Sequence, residues 1–122
     1  MNRQTIVYIS GKYSGNTEAE ISVNIANARS KSIEVWEAGF TALCPHTNTF
    51  HFEKDCKCNY ADYIDGDLAL LQRCDCMLLL ENWQESDGVK REIDFAKING
   101  IPIFNSITEI KNYYTEKELR EL

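Results

Sequence analysis

Apolar and polar positions along this chain follow two rhythms, one of strands and one of helices, and the two alternate. Ile6-Val7-Tyr8-Ile9 is a short, apolar, β-rich run that breaks into the glycine-containing loop 10–16. Thr17 with Glu20 three residues on fits a capping box. Ile21, Ile25, Ala28, Ser32 and Val35 then trace one helical face to about Ala38, where Gly39 ends it. Phe40-Thr41-Ala42-Leu43-Cys44 reads as a second strand stopped by Pro45. A strand, a crossover helix and a strand make a βαβ unit, parallel and right-handed.

Residues 46–59 show no sustained period and hold His46, Asn48, Thr49, Phe50, His51 and Phe52, so a long loop covering a site is expected. Over 60–74 the spacing turns helical, with Tyr60, Ile64, Leu68 and Leu71 on one face and Asp62, Asp65 and Asp67 near the first half. Cys76-Met77-Leu78-Leu79-Leu80 reads as a fully buried strand, and Ile93 to Ile98 again has helical spacing, ended by Gly100. Ile101-Pro102-Ile103-Phe104 is a last short strand. Ser106 with Glu109 and Thr115 with Glu118 are capping boxes that predict two short closing helices. The pattern implies a single α/β domain over 1–122. It is a three-layer sandwich, Rossmann-like or flavodoxin-like, whose four- or five-stranded, mostly parallel sheet has helices on both faces.

Composition narrows the function. Thirteen Lys plus Arg against nineteen Asp plus Glu give a net charge of −6, which disfavours a nucleic acid polymer as partner. No run of 18 apolar residues exists, and Met1 to Thr5 lead straight into a strand, so neither a membrane nor export is expected and the location is cytoplasmic. Five cysteines, an odd number, then read as reduced, buried thiols. The pairs Cys56-Lys57-Cys58 and Cys74-Asp75-Cys76, with His46 and His51 nearby, invite a zinc reading. Structural zinc sites use wider gaps, so no metal and no cofactor is expected.

The chemistry concentrates in NWQESDGVKRE at 82–92, a strand-loop-helix corner that puts Glu92 about one turn inside a helix. Ser86 suits its N-cap, and Gly88 allows close approach of backbone to a ligand. In parallel α/β sheets such corners, at the carboxyl ends of strands, are where ligands sit. The loop after the first strand (Ser10, Gly11, Lys12, Ser14) and the loop after the second (His46, Asn48) converge on the same crevice, and Asp67 points to it if its helix packs with its first turns near that edge. A carboxylate there suits attack on a carbon becoming cationic, as in glycosidic cleavage. Complementing the helix dipole is an equally good account of Glu92 taken alone. Tyr8 reads as core unless its place beside the glycine loop promotes it. Asn82 and Trp83 suit hydrogen bonding to and stacking on a base, and Lys12 suits a phosphate.

VYISGKYSG at 7–15, LCPHTNT at 43–49, DGDLALLQRCD at 65–75 and NWQESDGVKRE together resemble the nucleoside 2-deoxyribosyltransferase-like superfamily, especially its small uncharacterised phage and bacterial members. The resemblance spans about residues 6–104. It implies cleavage of the N-glycosidic bond of a deoxynucleoside or deoxynucleotide, by hydrolysis or transfer. Glu92 is then the nucleophile, Tyr8 assists it, and Asp67 contacts sugar or base. Ser86 stands where the transferring enzymes carry an aspartate and is similar to the phosphate-holding serine of the 5′-monophosphate N-glycosidases. Lys90 and Lys12 depart from the pattern, replacing a small residue and a hydroxyl residue. The resemblance also implies a homodimer or larger homo-oligomer. The competing expectation is a non-catalytic pocket that sequesters a cyclic nucleotide or an ADP-ribose derivative.

Overall fold

Four strands form one sheet in the order β2-β1-β3-β4, and every neighbouring pair is parallel. They are β1 (Ile6–Ser10), β2 (Thr41–Leu43), β3 (Cys76–Leu79) and β4 (Ile103–Phe104) in the computed structural model, which describes residues 3–122. Met1 and Asn2, the start of the expected lead-in, lie outside them. A fifth strand, left open by the sequence, is absent among the described residues. Phe40, Cys44, Leu80 and Ile101, expected within strands, flank them instead.

Five helices connect and close the sheet: α1 (Glu18–Glu37), α2 (Pro45–Asn48), α3 (Tyr60–Gln72), α4 (Asp87–Ile98) and α5 (Ile107–Arg120). Side-chain caps fix where α1, α4 and α5 begin. Thr17 accepts from the Glu20 N–H, Ser86 from that of Val89 and Ser106 from that of Glu109, each worth about 1 kcal/mol. At α3 Asn59 and Asp62 form a full reciprocal box, a signal the sequence reading passed over.

Two expectations need correction. The loop 46–59 is interrupted by α2, for which Pro45 supplies the pre-set φ of a first turn, and by the 3-10 turn Phe52–Lys54; both are too short to show a period. The tail is one helix, not two. No glycine or proline interrupts 107–120, and buried Ile110 with half-buried Tyr113 and Tyr114 continues the apolar face, so Thr115 is carried through as an interior residue.

The pleat of β1 sorts its side chains between two cores. Val7 and Ile9 pack with Cys76, Leu78 and Phe104 against Ala28 and Val35 of α1 and Ile110 of α5. Tyr8 turns to the other face and joins Met77 and Leu79 against Leu71 of α3 and Val89 and Ala96 of α4. The chain thus leaves β1 over one face through α1 and leaves β3 over the other through α4. Between those diverging connections a crevice opens at the carboxyl ends of β1 and β3.

Cys44, Cys74 and Cys76 are buried as expected, whereas Cys56 is half-buried and Cys58 exposed, because the strap that carries them lies outside the sheet. Among the described residues no helix is long and apolar enough to cross a membrane.

Candidate functional site

Val89, Glu92 and Ala96 form the buried stripe of α4, so the helix buries a carboxylate in the middle of its apolar face. Glu92 is only 8% exposed. It lies opposite the even-numbered side chains of β1: the Tyr8 hydroxyl donates to Oε2, and Ser10 Oγ donates to Oε1 at 2.6 Å. Burial pushes the Glu92 carboxyl above the usual carboxylate range, and the two hydroxyls oppose that push. The Tyr8 phenol is held far above its ordinary range by burial first and then by the charges of Glu92 and Asp67, so it stays a proton donor.

A cavity of about 380 Å³ opens at this carboxylate, within the size range of small-molecule sites. One wall is α3, where Tyr60, Ile64 and Asp67 recur at helical spacing. Burial, with the Glu92 charge second, pushes Asp67 up to about 7. Ser86 and Gly88 at the start of α4 form a second wall, and Gly11 and His46 a third. Gly11 is demanded by packing rather than by a ligand, since a Cβ there would lie 2.3 Å from Leu80 Cδ1. At Gly88 a Cβ would meet only ordinary contacts, Tyr60 Oη at 3.5 Å and Ser86 Oγ at 3.6 Å.

The strap after α2 makes the rim through Thr49, Glu53 and Cys58. It is moored across the cavity: the Tyr13 hydroxyl donates to Glu53 Oε2 at 3.0 Å, and Lys54 Nζ lies 2.8 Å from Glu18 Oε1. His46 is buried beneath Tyr13, ring centroids 5.3 Å apart, and its Nε2–H donates to the Lys12 carbonyl at 3.0 Å. Burial lowers the His46 pKa, so the ring is neutral at pH 7.

Of the residues singled out in the sequence, Tyr8, Gly11, Ser14, His46, Asp67, Ser86, Gly88 and Glu92 meet around this cavity, and Ser10 stands behind Glu92. Four do not reach it. Lys12 turns outward to Glu85, Nζ to Oε1 3.2 Å, because its own backbone N–H is tied to Asn82 Oδ1 at 3.1 Å. That bond also occupies Asn82. Trp83 packs against the Tyr8 core, and Asn48 is an exposed residue at the end of α2. Tyr13, Glu53 and Tyr63 were missed. Tyr60 and Ile64 were read as core; their face runs past the sheet edge and becomes cavity wall. The charged side chains on the wall are the carboxylates Glu53, Asp67 and Glu92, with no lysine or arginine among the described residues that line it.

A parallel α/β sandwich with a hydroxyl-bound carboxylate at its topological switch point defines the class of this protein. The chain belongs to the family described as "Domain of unknown function (DUF4406)", which matches residues 5–105. No curated protein matches it. Its fold is that of 2-deoxyribosyltransferases, so the resemblance read from the motifs holds at the level of architecture. The enzyme from Bacillus psychrosaccharolyticus superposes with a TM-score of 0.57 at 15% identity, over 81% of this chain and 69% of that one. The enzyme from Leishmania mexicana superposes with a TM-score of 0.56 at 12% identity, over 81% of this chain and 61% of that one.

Proposed function

We propose that the protein cleaves the N-glycosidic bond of a 2′-deoxynucleoside, with Glu92 as nucleophile, passing the sugar to water or to a second base. The observation that carries this reading is the buried Glu92 carboxylate, fixed by Tyr8 and Ser10 on the wall of a nucleoside-sized cavity. A solvated first-turn glutamate complementing a dipole needs no such pair of donors.

The chemistry follows from the two carboxyl groups. Ionised Glu92 attacks C1′ as the bond from C1′ to the base nitrogen breaks, and the departing base takes a proton. Asp67, held near pH 7, is the acid on hand. Part of its elevated pKa comes from the Glu92 charge, which vanishes once that oxygen is esterified. Asp67 then becomes the weaker proton holder, suited to accept a proton from the incoming water or base in the second step.

Wall charge separates nucleoside from nucleotide. Ser86, similar to the serine of the 5′-monophosphate N-glycosidases, suggests a 5′-monophosphate, but Lys12 is engaged by Glu85 and the cavity wall carries Glu53 and Glu92. Ionised Glu53 and Glu92 repel a second anion, and no lysine or arginine among the described lining residues offsets them. Free nucleosides are therefore the better substrates.

The test is release of free base from a panel of 2′-deoxynucleosides and their 5′-monophosphates, with and without an added acceptor base. Release from the nucleosides, abolished in Glu92→Gln, is expected; no release from any member of the panel contradicts the proposal.

A further inference from the structure

The loop between the 3-10 turn and α3 carries two thiols that the glycosidic chemistry does not use. Cys56 and Cys58 are one residue apart, and the Cys58 backbone N–H donates to Cys56 Sγ at 3.4 Å, so the Cys56 side chain is folded over its neighbour. The Tyr63 hydroxyl, one turn into α3, is buried and has no hydrogen-bond partner among the described residues. A buried donor without an acceptor costs about 1–3 kcal/mol.

The surroundings of Cys56 thus favour the thiolate. The Tyr63 hydroxyl first, and the Cys58 N–H after it, hold the Cys56 thiol below its ordinary range, and Cys58 is raised first by its side-chain hydrogen bond with Cys56 and then by the charge of a Cys56 thiolate. Cys58 is exposed and Cys56 half-buried, in contrast to buried Cys44, Cys74 and Cys76; burial pushes the last two up to about 12. Low pKa together with access and an adjacent second thiol is the combination that makes a cysteine an oxidation site. No third His, Cys, Asp or Glu joins the pair among the described residues, so the donor set suits thiol chemistry rather than a bound metal.

We infer that Cys56 and Cys58 form a peroxide-reactive dithiol on the rim of the cavity, with Cys56 the attacking and Cys58 the resolving sulfur. The Cys56 thiolate attacks one oxygen of hydrogen peroxide, the O–O bond breaks, and the sulfur becomes a sulfenic acid as hydroxide leaves. The Cys58 thiol then attacks that sulfur, its proton joins the departing oxygen as water, and a disulfide remains. Two thiols lose two electrons, and one peroxide becomes two waters. An i, i+2 bridge closes a small, strained ring, so dithiols reduce it readily. Because Cys58 lines the cavity and Asn59 caps the helix bearing Asp67, oxidation acts directly on the rim.

The test is differential alkylation of the full-length native protein after graded hydrogen peroxide, read by peptide mass spectrometry. Cys56 and Cys58 should become blocked together through an intramolecular bond that dithiothreitol reverses, at least about tenfold faster than Cys44, Cys74 and Cys76 are lost. Cys58→Ser should instead accumulate a sulfenic acid on Cys56 that dimedone traps, and Tyr63→Phe should slow Cys56 oxidation while leaving the disulfide able to form. Equal reactivity of all five cysteines, or peroxide-driven covalent dimers in place of the internal bond, would overturn the inference.

Discussion

The two faces of β1 are equally buried and chemically opposite. Val7 and Ile9 are 0% exposed against α1 and α5, and Tyr8 and Ser10 are 0% and 1% exposed against α4. The first pair is stabilised by transfer out of water, about 1.5–3 kcal/mol per large side chain. The second pair brings polar atoms into the same dry layer, where each unpaired group costs about as much as a buried methyl cluster returns. Glu92 resolves that cost by accepting from both hydroxyls, and the hydroxyls in turn hold a carboxylate that is largely buried. One face builds the fold; the other concentrates its polar atoms on one reactive group.

That contrast breaks most sharply at Glu92. Glu92→Gln keeps the shape and removes the nucleophile, so base release should fall by at least about 10³-fold, roughly 4 kcal/mol of transition-state stabilisation, with the folded state retained by circular dichroism. On the opposite face of the sheet Leu78→Ala, at a buried position away from the cavity, should cost about 2–5 kcal/mol in urea unfolding while leaving turnover per folded molecule unchanged. A large loss of kcat there would erase the division between the faces.

Asp67→Asn tests the second carboxyl group. Turnover should drop by about 10²-fold and lose its alkaline limb near pH 7, since the wild type needs Glu92 ionised and Asp67 protonated. Stability should move the other way. A carboxyl whose folded pKa is raised adds stability only while protonated, and that contribution is lost as pH rises from the ordinary aspartate range through about 7. The Tm of the variant should therefore exceed that of the wild type at pH 8 and not at pH 3.5. Tyr8→Phe removes one donor to Glu92; a fall of about tenfold in kcat is expected, with the acidic limb of the pH–rate profile displaced to higher pH because the lost hydrogen bond had favoured the charged form. Lys12→Ala should change least, under about 1 kcal/mol in stability and under about twofold in kcat/KM for a nucleoside, because its partner Glu85 is a surface group.

How much was legible in the sequence follows the same division. The period-two and period-3.6 patterns gave the strand and helix order, and the corner at 82–92 exposed Glu92, because a carboxylate inside an apolar helix stripe is visible in one dimension. Tyr8 was visible only as an aromatic in a strand. Its role depends on which face of the pleat meets α4, a fact of topology. Lys12 looked like a phosphate ligand because loop sequence does not encode direction; a backbone tie to Asn82 turned it outward. The rim was least legible of all. Tyr13 and Glu53 meet where a strap with one helical turn and one 3-10 turn crosses the cavity, and such short elements carry no period; Tyr63 lies on α3 beside the apolar stripe that its spacing picks out.

The most direct test of the account is capture of the sugar on the protein. A 2′-deoxy-2′-fluoroarabinosyl purine slows both steps by destabilising the cationic carbon, and peptide mass spectrometry then locates the fluorosugar. The account predicts an ester on the peptide containing Glu92, formed as free base appears and absent from Glu92→Gln. Base released by Glu92→Gln at the wild-type rate, or sugar carried by any other carboxylate, would contradict it.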